Sequence, residues 1–398
     1  MLRLRIPVLG LLLATALVAC SGGGPAKDGG TPSGKAHVLG FINMEGAPSG
    51  SFPEAAAGAR AAVAHVNDDL GGIKGTPLRL ATCKTDGTPE SSQSCAERVL
   101  SQQPVAVVGG IDFGADASVP VVTRAQVPYV TGSPTLAGEL TTPGSYAFTG
   151  GTAADLLGIG DYLIERKHVH SIHVVHEDLP GLLNAAISAA GDIFRAKKVT
   201  DVKLVAEKAD AADFAPALTA AAAGHPDAII VVFPAQACAR IMRAAAALEV
   251  KAEMYYPGAC ASPGVVGSAT SELGRSYFAS GYLPVATSGG GVEAEAFRKR
   301  VPAAQRSPLS EAAFSAVLNV ARLMDAGAVE PAALAAKLTA ARNEPNVLAH
   351  PYSCDKLQLP LLQSVCDSHV RLLQYRDGAF VDVLGDWVTG AKLNELVN

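Results

Sequence analysis

Residues 49–80 read SGSFPEAAAGARAAVAHVNDDLGGIKGTPLRL, and this stretch holds a helix, its stop signal and the strand that follows. From Glu54 to Leu70, the residues Ala55, Ala59, Ala62, Val63 and Val66 recur at the spacing that lines one face of a helix. Gly71-Gly72 ends it, because glycine takes the left-handed conformation of a helix stop without a Cβ penalty. Pro77 to Ala81 is then extended. Upstream, Ala36-His37-Val38-Leu39-Gly40-Phe41-Ile42 is almost continuously apolar, as in a strand covered on both faces. Downstream the alternation continues. A helix is expected over Pro89 to Ser101, a strand over Val105 to Val108 ending in Gly109-Gly110, a helix over Ala115 to Gln126 interrupted near Pro120, and a strand at Tyr129-Val130.

The rhythm then restarts. Helices are expected over Ala153–Glu165, Leu182–Lys197, Phe214–Ala223 and Ala237–Leu248, with strands over Ser171–Val175, Asp201–Ala206, Ala228–Val232 and Glu253–Tyr256. After a strand at Tyr277–Gly281, helices follow near 293–299, 308–326 and 331–342. The tail changes to short strands at Lys356–Leu361, His369–Tyr375 and Ala379–Leu384. Strands alternating with helices imply parallel sheets covered by helices, and two sets of units imply two α/β lobes.

Composition agrees with a folded chain. The 398 residues are 49% hydrophobic and only 5% aromatic, so the apolar mass is Ala, Val and Leu, and whole-chain disorder is excluded. Against 37 acidic residues stand 32 basic ones, a net charge of −5 that gives no general attraction to nucleic acid. At the start, MLRLRIPVLGLLLATALVAC places Arg3 and Arg5 before an uncharged run, Ile6 to Ala19, too short to span a membrane and suited to a secretion signal over 1–20. Leu17-Val18-Ala19-Cys20 resembles the lipobox of bacterial lipoproteins, which implies lipidation at Cys20 and a chain exported and anchored to a bacterial membrane. Residues 21–35, rich in Gly and Ser, read as a flexible tether.

Seven cysteines less Cys20 leave six, an even set for an oxidising compartment. Fifteen pairings are open to them. Neighbour pairing, Cys83–Cys95, Cys238–Cys260 and Cys354–Cys366, is the simplest. No CxxC or His/Cys cluster has zinc spacing, so no metal and no cofactor is expected.

The stretch 49–80 also resembles the opening of type I periplasmic binding proteins, more narrowly the leucine/isoleucine/valine-type substrate-binding proteins of ABC importers. The resemblance rests on Ala47-Pro48-Ser49-Gly50, the helix ending Val66-Asn67-Asp68-Asp69, Gly71-Gly72-Ile73-Lys74-Gly75, Val107-Val108-Gly109-Gly110 and Val127-Pro128-Tyr129-Val130-Thr131. It extends over about residues 36–385. What it implies is two Rossmann-like lobes joined by a hinge that the chain crosses three times, with ligand trapped in the cleft between them. Lobe one would hold 36–150 and 276–350, and lobe two 151–275 and 351–398. The implied function is the substrate-binding component of an importer, a monomer with a small organic ligand and membrane permease subunits as partners. A receptor that signals through a partner is the alternative.

Carried onto this sequence, the resemblance sets candidate ligand contacts. The hydroxyl-rich stretch after the fourth strand is Thr131-Gly132-Ser133-Pro134-Thr135, so Ser133 and Thr135 are candidates to anchor a carboxylate or carbonyl. The loop after the third strand carries Asp112 and Phe113 where a serine is expected; Asp112 would repel a carboxylate and suits a cation or hydroxyl. Thr149, His176 and Glu177, Phe233 and Gln236, and Tyr256 follow later strands. An acid that pairs with a ligand amine would fall near Gly258-Ala259-Cys260, where none is present, and this disfavours a zwitterionic amino acid. Phe113, Phe233 and Tyr256 together imply a partly apolar pocket for an aromatic, aliphatic or hydroxylated ligand. An enzyme is not expected: GGIDFG (109–114) is not a dinucleotide fingerprint, and GxSxG and HExxH motifs do not occur.

Overall fold

The computed structural model describes residues 31–398 apart from 48–49, 180–181, 262, 270–272, 275, 285–289, 392 and 394–398. The expected signal segment with Cys20 lies outside the described residues, as do residues 21–30 of the tether. The end of the tether is seated on the body, where the Ser33 N–H donates to the Gly75 carbonyl at 2.9 Å.

The helix read from the opening stretch is α1, Pro53–Asp68. Pro53 sits where a backbone N–H would be orphaned anyway, and Glu54 complements the positive end of the helix dipole. Gly71 and Gly72 close it at φ +73° and +77°. Around it lie β1 (His37–Met44), β2 (Leu78–Thr85), α2 (Pro89–Leu100), β3 (Ala106–Gly109), α3 (Ala115–Arg124), β4 (Tyr129–Thr131), α4 (Ala137–Thr141) and β5 (Ser145–Ala147). The five strands are parallel in the order β2-β1-β3-β4-β5, with Leu39 opposite both Leu80 and Ala106. Leu39 and Phe41 of β1 face the core beneath α1, while Ile42 faces the core beneath α2 and α3. The expected break at Pro120 is absent, and α3 runs through it. Five helical residues, 115–119, precede Pro120, so the missing N–H removes only one early intrahelical bond.

The second lobe contains α5 (Gly151–Asp161), β6 (Ser171–Glu177), α6 (Leu182–Ala196), β7 (Asp201–Glu207), α7 (Ala215–Ala222), β8 (Ala228–Val232), α8 (Ala235–Ala247), β9 (Glu253–Pro257), α9 (Pro263–Ser268) and β10 (Ser276–Ser280). The chain then returns to lobe one as α10 (Gly291–Arg300), α11 (Pro308–Asp325) and α12 (Pro331–Thr339), which place Phe297, Phe314 and Leu334 in the same core as Leu39. β11 (His369–Arg376), β12 (Ala379–Asp382) and β13 (Val388–Thr389) end the described fold. The second sheet has the order β12-β11-β10-β9-β8-β6-β7, with β13 on β11. It is mixed: β6 to β10 are parallel, and β11 runs antiparallel to β10 and to β12.

Two lobe boundaries differ from the expected ones. The strand at 276–280, expected in lobe one, pairs with β9 in the second sheet, so the chain crosses at Gly281 rather than before residue 276. Tyr352 and Cys366, expected in lobe two, are buried in the lobe-one core, where Tyr352 meets the Phe148 ring edge-on at 4.9 Å. The expected strand at 356–361 is irregular; Leu361 has φ +64° and the Gln358 amide donates to the Ser353 carbonyl. The result is two α/β lobes joined by a three-strand hinge: Phe148 to Ala154, Ala279 to Tyr282, and Tyr352 to Val370.

Small residues set how closely the layers approach. A Cβ on Gly58 of α1 would lie 2.0 Å from the Ser310 carbonyl oxygen of α11, so these two helices touch backbone to backbone. That is where an Ala- and Gly-rich, aromatic-poor composition acts. The cysteines are joined as neighbours, Cys83–Cys95, Cys238–Cys260 and Cys354–Cys366, with Cα separations of 5.5, 5.6 and 4.3 Å. Among the described residues, no helix is long and apolar enough to cross a membrane.

Candidate functional site

A small cavity of about 40 Å³ lies between the lobes beside the hinge. Lobe one supplies Ser133, Tyr282, Pro308 and Leu309; lobe two supplies Ala154, Asp155, Gly258 and Val370; and Thr149 to Gly151 come from the first crossing. Apart from Val370, at the start of the antiparallel β11, these residues come from loops at the carboxyl ends of strands or from helix starts, which is where open α/β sheets bind ligands.

Thr149 and Tyr282 fix the lobe-one side. The Thr149 hydroxyl donates to the Gly132 carbonyl at 2.8 Å and the Tyr282 hydroxyl donates to the same oxygen at 2.6 Å. Burial holds the Tyr282 phenol far above its ordinary pKa, so it acts as a neutral donor. The Ser133 N–H donates to Thr131 Oγ1 at 3.2 Å, while among the described residues the Ser133 hydroxyl has no hydrogen-bond partner. Gly151 opens α5 at φ +53°, and a Cβ there would lie 2.3 Å from the Pro134 carbonyl oxygen. Only glycine permits the start of α5, with its unpaired N–H groups, to sit this close to the Ser133 loop.

One turn into α5 stands Asp155, only 8% exposed. Its Oδ2 accepts from the Gly258 N–H at 3.2 Å, across from the α5 side to the end of β9. Burial raises its carboxyl pKa to about 8, and that single hydrogen bond offsets the effect only in part. Near neutral pH the group is a proton donor, and a nearby cation would convert it to an acceptor. The sequence reading missed it, because an acid inside a helix carries no motif. No acid stands at 258–260 in the sequence, but in space the Asp155 carboxyl lies beside Gly258.

Of the residues singled out from sequence, Ser133 and Thr149 line this cavity and the others do not. Asp112 is 1% exposed; its carboxylate accepts from the Thr85 hydroxyl at 2.8 Å, the Ser92 hydroxyl at 2.5 Å and the Gly114 N–H at 3.1 Å, and is spent on holding lobe one together. Phe113 packs edge-on against Phe52 at 5.7 Å in a small cluster with Leu309, so it backs the cavity wall. Thr135 is exposed, and its N–H and hydroxyl both donate to Glu139. His176 is buried with Nδ1 against the Glu177 carbonyl, and Glu177 is half-buried at the end of β6 with its pKa raised by burial and then by Asp210. Gln236 is exposed and reaches toward lobe one, where a Cβ on Gly50 would lie 3.0 Å from its Nε2.

The aromatic clue is overturned. Phe233 is buried edge-on against Phe214 at 5.5 Å, and Tyr256 is buried in a stack with Phe278 at 5.6 Å. Tyr255, on the other face of β9, is buried and stacked on Tyr277 at 4.9 Å. Helices or neighbouring strands cover both faces of this sheet, so alternation along β9 chooses between two interiors rather than between interior and cleft.

Two α/β lobes joined by a hinge around a polar-edged cleft have the architecture of a substrate-binding protein. The sequence profile of the periplasmic binding protein family matches residues 38–354, and the chain belongs to that family. Its members bind and transport rather than catalyse, in keeping with the reading that the chain is not an enzyme. No curated protein matches the chain. Among solved structures it is similar to the branched-chain amino acid transporter substrate-binding protein LivJ of Streptococcus pneumoniae in complex with isoleucine, at 19% identity and TM-score 0.71, with 89% of this chain and 99% of that one covered. It is also similar to an ABC transporter solute-binding protein of R. palustris in complex with 4-hydroxybenzoate, at 16% identity and TM-score 0.72, with 89% and 97% covered. A fatty acid ABC transporter substrate-binding protein of Thermomonospora curvata matches at 15% identity and TM-score 0.74, with 93% and 96% covered. These likenesses establish the shared fold.

Proposed function

We propose that the chain is the substrate-binding component of an ABC importer, capturing a small, partly apolar organic molecule in the interlobe cavity and delivering it to membrane permease subunits. The observation that carries this reading is the cavity itself, walled by both lobes, with the Ser133 hydroxyl, the start of α5 and the Asp155 carboxyl as its polar groups and Ala154, Leu309 and Val370 as its apolar ones. A carbonyl or carboxylate fits Ser133 and the α5 N–H groups, and an amine or hydroxyl fits Asp155. The earlier argument against an amine lapses with Asp155 present. Branched-chain amino acids and simple aromatic acids carry these groups and belong to the set by chemistry, in keeping with the leucine/isoleucine/valine-type resemblance in the sequence.

Three disulfides and the signal segment support a site of action outside the cytoplasm, with Cys20 as the lipid anchor and the receptor acting as a monomer. A thermal-shift screen of the purified protein against branched, aromatic and hydroxylated acids and amines, followed by titration of the hits, tests the reading. A hit whose affinity falls in Ser133→Ala and changes in Asp155→Asn supports it. Hits that ignore both substitutions place the ligand elsewhere and refute it.

A further inference from the structure

The hinge holds a cluster that ligand capture does not use. His350 lies just before the third crossing, and Asp367 and His369 sit where that crossing enters β11. Asp367 Oδ1 lies 3.1 Å from His350 Nδ1 and 2.6 Å from His369 Nδ1. The two imidazole rings stack with centroids 3.5 Å apart and 17° between planes. The Asp367 side chain is 2% exposed, and its second oxygen, Oδ2, is buried with no hydrogen-bond partner among the described residues. Both histidines keep about a quarter of their side-chain surface in solvent, which leaves a path inward.

Oδ1 also accepts from the His369 N–H at 3.3 Å, and His350 Nδ1 lies 2.9 Å from the Pro351 carbonyl, so the protein contacts gather on one carboxylate oxygen while the buried other stays bare. We propose that His350, Asp367 and His369 bind a divalent transition-metal ion of the zinc type. Candidate ligand atoms from all three lie within 4.8 Å of one another. Two imidazole nitrogens and a carboxylate oxygen form a borderline donor set suited to zinc, cobalt or nickel, with a remaining position open to water. The neighbouring cation, Arg371, lies over the Trp387 ring and pairs through Nη1 with Asp382 at 2.9 Å, while its buried Nε has no hydrogen-bond partner among the described residues. The expectation of no metal was drawn from cysteine spacing. These three ligands meet only because the third crossing folds residue 350 back onto 367 and 369. An ion there ties the end of lobe one to the first residues of β11, directly behind the cavity: the Asp367 carbonyl oxygen is 3.4 Å from the Cβ position of Gly150, and Val370 is on the wall.

The test is a zinc titration of metal-stripped, disulfide-intact protein at pH 7.5, read by thermal melting, with Co²⁺ absorption as a second readout. At about 100-fold excess over Kd, zinc should raise Tm by roughly 3–4 °C for a chain of this size, reversibly with EDTA. Co²⁺ should give a visible ligand-field band that zinc displaces. His350→Ala and His369→Ala should each weaken zinc binding at least tenfold while ligand capture persists. No Tm shift and no Co²⁺ band in the unaltered protein would overturn the proposal, without reliance on any variant folding. A shift retained in full by both variants would overturn it equally, by placing the ion elsewhere.

Discussion

Replacing Asp155 by Asn tests the electrostatics of the cavity in the ligand-free protein. Asn keeps the shape and can still accept from the Gly258 N–H, but it cannot ionise. In the folded protein the Asp155 carboxyl titrates at about 8, against 3.8 for the ordinary group. A folded-state pKa above the unfolded one means that the native state holds the proton more tightly. Stability from this group is therefore fully present below about pH 4 and is lost as pH rises through 8. Between pH 5 and pH 9 the loss amounts to about 4 kcal/mol, or roughly 5 °C in Tm for a chain of this size. Glu139, also buried and raised to about 7, contributes a slope of the same sign, but it is common to both proteins and cancels in their difference. Melting curves at half-unit intervals should show wild-type Tm falling relative to Asp155→Asn across this range. Parallel curves would mean that Asp155 is solvated and ionised at neutral pH, and the argument for it as a proton-bearing cavity group would fail.

Asp112→Ala should destabilise the protein by about 3 kcal/mol, because it leaves the buried hydroxyls of Thr85 and Ser92 without their acceptor; chemical denaturation measures this, and ligand affinity in the folded fraction should be unchanged. Ser133→Ala should weaken a carbonyl- or carboxylate-bearing ligand about five- to tenfold by calorimetry, whereas Thr135→Val should leave affinity within twofold, since the Thr135 hydroxyl is committed to Glu139.

What the sequence reveals depends on whether a feature is local. The helix in residues 49–80 carries its own start, stripe and stop, and α1 follows them within two residues. The disulfides pair as neighbours because each couple joins a strand end or loop to the helix or segment packed on it. Strand 276–280 carries no mark of its sheet; only pairing with β9, twenty residues upstream, decides that. Phe233 and Tyr256 mislead for a related reason, since at a strand end an aromatic side chain has the same sequence signature whether it meets a ligand or a helix. Asp112 reads as a cleft acid until Thr85 and Ser92, from β2 and α2, are seen to claim it. Asp155 is invisible because its role depends on Gly258, 103 positions away, and on burial that no local pattern encodes.

The fold is shared by proteins solved in complex with isoleucine and with 4-hydroxybenzoate, so it cannot by itself select a ligand. In the proposed site, selection would rest with the few side chains on the cavity wall, and among them Asp155 carries the carboxyl whose pKa burial raises to about 8. A ligand that brings a cation to Asp155 favours the ionised carboxyl, so its binding releases a proton below pH 8. Its affinity should rise by up to tenfold per pH unit toward 8 and level off above it. A ligand that accepts a hydrogen bond from the protonated carboxyl behaves oppositely, with constant affinity below pH 8 and a decline above it. Calorimetry of any confirmed ligand at pH 6, 7, 8 and 9 reads the sign directly, and Asp155→Asn should flatten either profile. A flat profile in the unaltered protein would show that Asp155 does not meet the ligand, leaving Ser133 and the start of α5 to account for recognition alone.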